Sequence, residues 1–129
     1  MPANDVKTFI ALSKSKQLRY ASSGNGSVQH LSTEAFKHVT GADLQHIPYK
    51  GSGQAISDLV GGHVKVMISG MASTLPHVRS GKLNGIVTTG LKRTPATQDI
   101  PTIAETYPGF ESSSWFGVLA PAGTPKPVI

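Results

Sequence analysis

The sequence predicts an α/β domain: a mainly parallel twisted sheet with helices on both faces. Three observations carry this. Short apolar runs alternate with segments of helical period along the chain. The linkers between them are short, which suits right-handed crossovers between parallel strands. Four strand-to-helix loops, Ser22–Ser27, Tyr49–Gly53, Ser69–Ser73 and Thr88–Thr94, are all rich in Gly, Ser, Thr or Lys. In parallel sheets such loops lie together beyond the carboxyl ends of the strands, where ligands bind.

The elements follow in order. Val6, Phe9, Ile10 and Leu12 have helical spacing within Asp5–Ser15, and Asn4 or Asp5 supplies the cap. Leu18–Ser22 reads as the first strand. A helix from Ser27 to Thr40 is expected to bury Leu31, Ala35, Phe36 and Val39, with Gly41 ending it. Leu44–Pro48 is a second strand, and Gly53–Val60 a short helix closed by Gly61-Gly62. Val64–Ile68 is a third strand, Ser73–Arg79 a helix closed by Gly81, and Leu83–Thr89 a fourth strand. One or two helical turns are expected over Thr102–Tyr107, and a final strand within Phe110–Leu119. Near the end, Thr124 and Pro125 have the pattern of a helix start, cap then proline at the first position, yet the chain stops about one turn later. The sequence is therefore expected to be a piece of a longer protein.

A chain of 129 residues is one domain by length. It buries about two-thirds of its unfolded surface, enough for a core. Its net charge of +5, from 12 basic and 7 acidic residues, suits small acidic ligands. The basic residues are scattered, with Lys92-Arg93 the only adjacent pair, so nucleic acid is not an expected partner. There is no cysteine, hence no disulfide and no thiolate chemistry. No apolar run approaches the roughly 20 residues needed to span a bilayer.

The chemistry is concentrated in Tyr20–His30, which reads YASSGNGSVQH. Between strand and helix lie Ser22, Ser23, Gly24, Asn25, Gly26 and Ser27. Glycines let the backbone turn and approach a ligand. Ser27 can cap the helix, whose first-turn N–H groups then face the loop. Free N–H groups, hydroxyls and the positive end of a helix dipole together suit a carboxylate or phosphate. The loop is not a dinucleotide fingerprint, because Gln29 stands at the third glycine position, and no Lys-Ser/Thr pair makes it a P-loop. His30, one turn into the helix, is placed to orient the loop. Tyr49 can line the pocket through its phenol. Lys92-Arg93 reads as a solvated loop face, and Trp115-Phe116 as an apolar anchor on the last strand.

Metal and catalytic readings find little support. His30, His38, His46, His63 and His77 include no i,i+4 pair and no HExxH pattern, so no metal or other cofactor is expected. None of the seven acids falls in the four loops, and no GxSxG elbow is present. No acid–base pair is evident, and the chain is not expected to be an enzyme.

Eight segments in order resemble the solute receptors of tripartite tricarboxylate transporters, the TctC or Bug family. They are Tyr20–His30, His46–Gly53, Asp58–Val64, Ser73–Val78, Gly81–Leu83, Lys92–Pro95, Pro101–Glu105 and Ser113–Pro125, covering nearly the whole chain. The resemblance implies a type II periplasmic-binding-protein-like fold, with residues 1–129 forming the second of two domains hinged around a cleft. It implies a periplasmic parent protein that carries di- or tricarboxylates, amino acids or aromatic acids to a membrane permease. The implied partners are the ligand, the first domain of the same receptor and the permease subunits. The implied ligand-binding residues are Ser22, Ser23, Gly24, Asn25, Gly26, Ser27, Tyr49, Ser69 and Gly70. Ser69-Gly70 stands where family members often carry Asp-Asn or Asp-Ser, which removes a negative group from the cleft. Two alternatives stay open from the residues alone: a phosphate-holding α/β enzyme domain, and the effector-binding domain of a transcription regulator.

Overall fold

The computed structural model describes residues 5–128. Among the described residues four α-helices and three strands occur in the order α1 (Val6–Ser15), β1 (Leu18–Ser22), α2 (Val28–Thr40), β2 (Leu44–Pro48), α3 (Ser52–Val60), β3 (Val66–Met67) and α4 (Met71–Arg79). Short 3₁₀ turns follow at Pro95–Thr97, Ile103–Glu105 and Lys126–Val128.

The strands form one parallel sheet in the order β2-β1-β3. β1 sits in the middle and is the most buried of the three. Tyr20 and Ala21 are fully buried, and only Arg19 of the five residues is exposed. Its alternation sends side chains to two cores. Leu18 and Tyr20 pack with Val6, Phe9 and Ile10 of α1, Phe36 of α2, Leu44, Ile103 and Phe110. Ala21 packs on the opposite face with Ala55 of α3 and Val64. Helices therefore cover both faces.

Capping explains the helix limits. Asp5 caps α1, its carboxylate accepting from Thr8 N at 2.9 Å; the alternative cap, Asn4, lies outside the described residues. Ser27 caps α2, and Gly41 ends it in the left-handed conformation at φ 67°, where a side chain would be strained.

Three expectations need correction. The face that α2 buries is not Leu31, Ala35, Phe36 and Val39. It is Ser32, Thr33, Phe36 and Thr40, and Leu31 is 60% exposed. Thr33 and Thr40 donate their hydroxyls to the carbonyls of Gln29 and Phe36, each at 2.7 Å, and Ser32 Oγ meets Ser112 Oγ at 2.6 Å. With the hydroxyls satisfied, these side chains pack as small groups against the core. Leu83–Thr89 is not a strand; one bridge, Thr88 to Thr102, is all that forms. Gly85 lies in its middle, with Ile100 Cδ1 only 2.9 Å and Val78 Cγ1 3.1 Å from where a Cβ would stand. Ile100 and Val78 thus pack directly on this backbone, and only Thr88 finds a bridge partner. Phe110–Leu119 likewise has no strand. An extended segment becomes a strand only with a partner for its N–H and C=O groups, and among the described residues no strand pairs with it.

Candidate functional site

Because β1, β2 and β3 are parallel, α2, α3 and α4 all begin at the same edge of the sheet. Each helix start leaves N–H groups without an intrahelical acceptor. At α2 the Ser27 hydroxyl takes His30 N at 3.3 Å, leaving Val28 and Gln29 in the first turn. At α3 and α4 the caps are Gly51 and Gly70, which offer no side-chain acceptor. Three positive helix ends thus surround one concave region of about 950 Å³. Ser23, Ser27, Gln29, Ser52, Ser69 and Gly70 are among the residues that line it. Lys65, Lys82 and Lys92 also line it, and no Asp or Glu does among the described residues.

The Ser22–Ser27 loop is held by its own atoms. Gly24 and Gly26 have φ of 134° and 77°, values that L side chains rarely adopt. A Cβ on Gly24 would lie 3.4 Å from the Tyr49 carbonyl, so the loop rests directly on the next one. Ser27 Oγ donates to Gly24 O at 2.7 Å, and Ser27 N donates to the same carbonyl at 3.3 Å. Gly26 N donates to His30 Nδ1 at 3.0 Å. His30 does orient the loop. The Gly26 and Ser27 amides, however, are turned inward rather than offered to the concavity.

Ser22 is buried, with its hydroxyl 2.6 Å from His46 Nε2 and 3.1 Å from both Gly24 N and Gly24 O. A serine beside a histidine resembles a nucleophile and its base. This one has no exposed surface for a substrate to reach, and its role is to brace the loop from below. His46 lies low for a histidine, first because it is desolvated and then because His30 faces it.

Gln29 was not singled out by sequence reasoning, yet it joins two loops. Its Oε1 accepts from Ser23 Oγ at 2.7 Å, and its Nε2 donates to Ser52 Oγ at 3.1 Å. A polar side chain two positions after the cap serine was the available signal. Ser69 and Thr88 line the same concavity with buried hydroxyl oxygens that have no hydrogen-bond partner. Asn25 is exposed at the tip of its loop. Tyr49 is set apart from the others. Its ring packs with Ala21, Ala55 and Val64, and its hydroxyl donates to Asp58 Oδ2 at 2.8 Å, a bond that raises its pKa. Arg93 is no free loop charge either, since it forks onto Glu105 through two 2.7 Å bonds. Among the described residues no three His, Cys, Asp or Glu side chains gather as a metal site would require.

A parallel sheet with helices on both faces and three helix starts at one edge is an α/β fold of the periplasmic-binding-protein kind. The chain belongs to the TctC family: the model described as tripartite tricarboxylate transporter family receptor matches residues 1–129. Among curated relatives, Protein BugT of Bordetella pertussis is 40% identical over 98% of this chain and 40% of its own length. Among solved structures, an R. palustris protein with adipate superposes at a TM-score of 0.92, with 38% identity over 99% of this chain and 44% of that one. MatC from Rhodopseudomonas palustris with bound malate superposes at 0.86, with 33% identity over 98% and 44%. The periplasmic binding protein BugD superposes at 0.89, with 37% identity over 99% and 44%. The chain thus spans less than half the length of each of these relatives.

Proposed function

We propose that this chain is one lobe of a two-lobed periplasmic receptor. In this reading it binds a small carboxylate solute for delivery to a tripartite tricarboxylate permease. The observation that carries it is the hollow bordered by three helix starts, with no acid among the described residues that line it. Anions gain there from helix ends and oriented donors. The solved relatives with adipate and malate support a carboxylate as the anion. The contacts fall to the side chains of Ser23 and Ser27 in the first loop, Gly24 keeping that loop against the second, and to Ser69 and Gly70 of the third; Asn25 and Gly26 stand at the loop tip outside the lining. Ser22 acts from beneath the loop, and Tyr49 contributes its backbone rather than its phenol.

Titration of the 129-residue chain with adipate, malate and citrate, followed by amide NMR, tests this. A micromolar receptor binds with about −8 kcal/mol, so half the contacts correspond to roughly millimolar affinity. Shifts are expected in residues 22–29 and 69–73. Gly26→Val, which forces a side chain into a φ of 77°, is expected to abolish them while the sheet resonances stay in place. Shifts confined to the opposite edge of the sheet would sink the assignment. Submicromolar binding would show that one lobe holds the whole site.

A further inference from the structure

A column of three rings stands under the Ser22–Ser27 loop. Tyr20 stacks on His46 with centroids 4.8 Å apart, and His46 stacks on His30 at 4.1 Å with planes 6° apart. The top ring takes the Gly26 N–H at Nδ1. An accepting imidazole nitrogen carries no proton, so this geometry requires neutral His30 with its proton on Nε2. In that state the amide nearest the loop tip is occupied by the protein itself.

The groups facing His30 come from three elements. His46 lies on β2 and Tyr20 on β1, while Glu34 and Lys37 lie further along α2. Glu34 is engaged by Tyr20 Oη at 2.7 Å and by Lys37 Nζ at 2.9 Å. Burial would raise its pKa, but these two bonds hold it below the ordinary range. Two imidazoles stacked at 4.1 Å repel when both are charged. Desolvation and His30 both hold His46 in its neutral form. The two rings therefore do not carry two charges at once.

We propose that His30 is a positioning residue that links carboxylate capture at this loop to uptake of a proton. Neutral His30 keeps the Gly26 amide. Imidazolium His30 has a proton on Nδ1, so two donors would face each other across 3.0 Å and the Gly26 N–H is released. Nothing lies within 4 Å of a Cβ built on Gly26, so this corner of the loop is open. The same proton places a positive charge under the anion. The inference rests on the loop being the carboxylate site.

Amide and imidazole NMR of the chain, with and without adipate and between about pH 5 and 8 where histidine titrates, is the test. The Gly26 amide is expected to move with the same midpoint as the His30 ring, and adipate is expected to raise that midpoint. Adipate affinity is expected to tighten as pH falls, by at most ~tenfold per pH unit for one linked proton. His30→Asn keeps an acceptor near Nδ1 without titrating, and is expected to flatten the profile; any contribution from ionisation of adipate is common to both proteins. A Gly26 amide indifferent to the His30 titration in the unsubstituted chain overturns the proposal. So does an undiminished pH dependence in His30→Asn. If Gly26 follows His30 but adipate moves no loop resonance at any pH, the carboxylate site fails, and the linkage with it.

Discussion

Arg93 and Glu105 meet in a fork of two 2.7 Å bonds, and Glu105 Oε1 also accepts Thr102 N at 3.1 Å. The Arg93 hydrogen bonds hold the Glu105 carboxyl at about 2, against an ordinary 4.5. The folded chain binds this proton less readily than the unfolded chain. The carboxylate's contribution is thus complete above the ordinary value and lost as pH falls toward about 2. Carboxyl NMR is expected to place the Glu105 midpoint near that lower value. Glu105→Gln is expected to lower denaturation midpoints at neutral pH and to match the unsubstituted chain once Glu105 is protonated. A midpoint at the ordinary glutamate value would show that the fork is absent in solution. This pairing was not legible in the sequence, where Arg93 stands beside Lys92 and twelve positions from its partner. Ser22 and His46 show the same limit, being brought together only by the parallel register that sets Tyr20 against His46.

At the scale of elements, turn chemistry was legible and the facing of helices was not. The caps at Asp5 and Ser27 and the left-handed Gly41 are local events decided by a few neighbouring residues. The buried face of α2 depends on what lies opposite it, and hydroxyls that return to the backbone make Thr33 and Thr40 acceptable inside. A pair of substitutions separates the two facings. Phe36→Ala is expected to cost about 3–5 kcal/mol as a truncated core aromatic. Leu31→Ser is expected to change stability by no more than about 0.5 kcal/mol. Denaturant midpoints read both, and a large loss in Leu31→Ser would restore the facing that residue type alone suggests. The unformed strands have a related cause, because an apolar extended run does not disclose whether a neighbour exists to pair with it.

On the scale of the whole molecule, the α/β class and the clustering of polar loops at one edge were legible because alternation and parallel pairing imply both. The exposed segment near the carboxyl end was not. Trp115 and Phe116 are 86% and 96% exposed, and Val118 and Leu119 are also open to solvent. A contiguous apolar stretch of this kind favours contact with other protein surface. Trp115 is the only tryptophan, so fluorescence reports on it alone. Dilute chain is expected to show the emission of hydrated indole, shifting to the blue as concentration rises, with sedimentation showing weak self-association. Blue-shifted emission that does not change on dilution would mean the segment folds back onto its own chain.

α4 buries none of its nine residues, and Pro76 within it lacks the N–H that would bond one turn back. α2, on the other side of the hollow, is fastened by Phe36. The two walls should therefore differ in hydrogen exchange. Amides of β1 and α2 are expected to wait for global unfolding, while those of α4 exchange through local opening at much lower free energy. A bound carboxylate that bridges the walls would slow exchange in α4 far more than in α2. The less fastened helix would then be the one whose ordering the ligand's binding energy must supply.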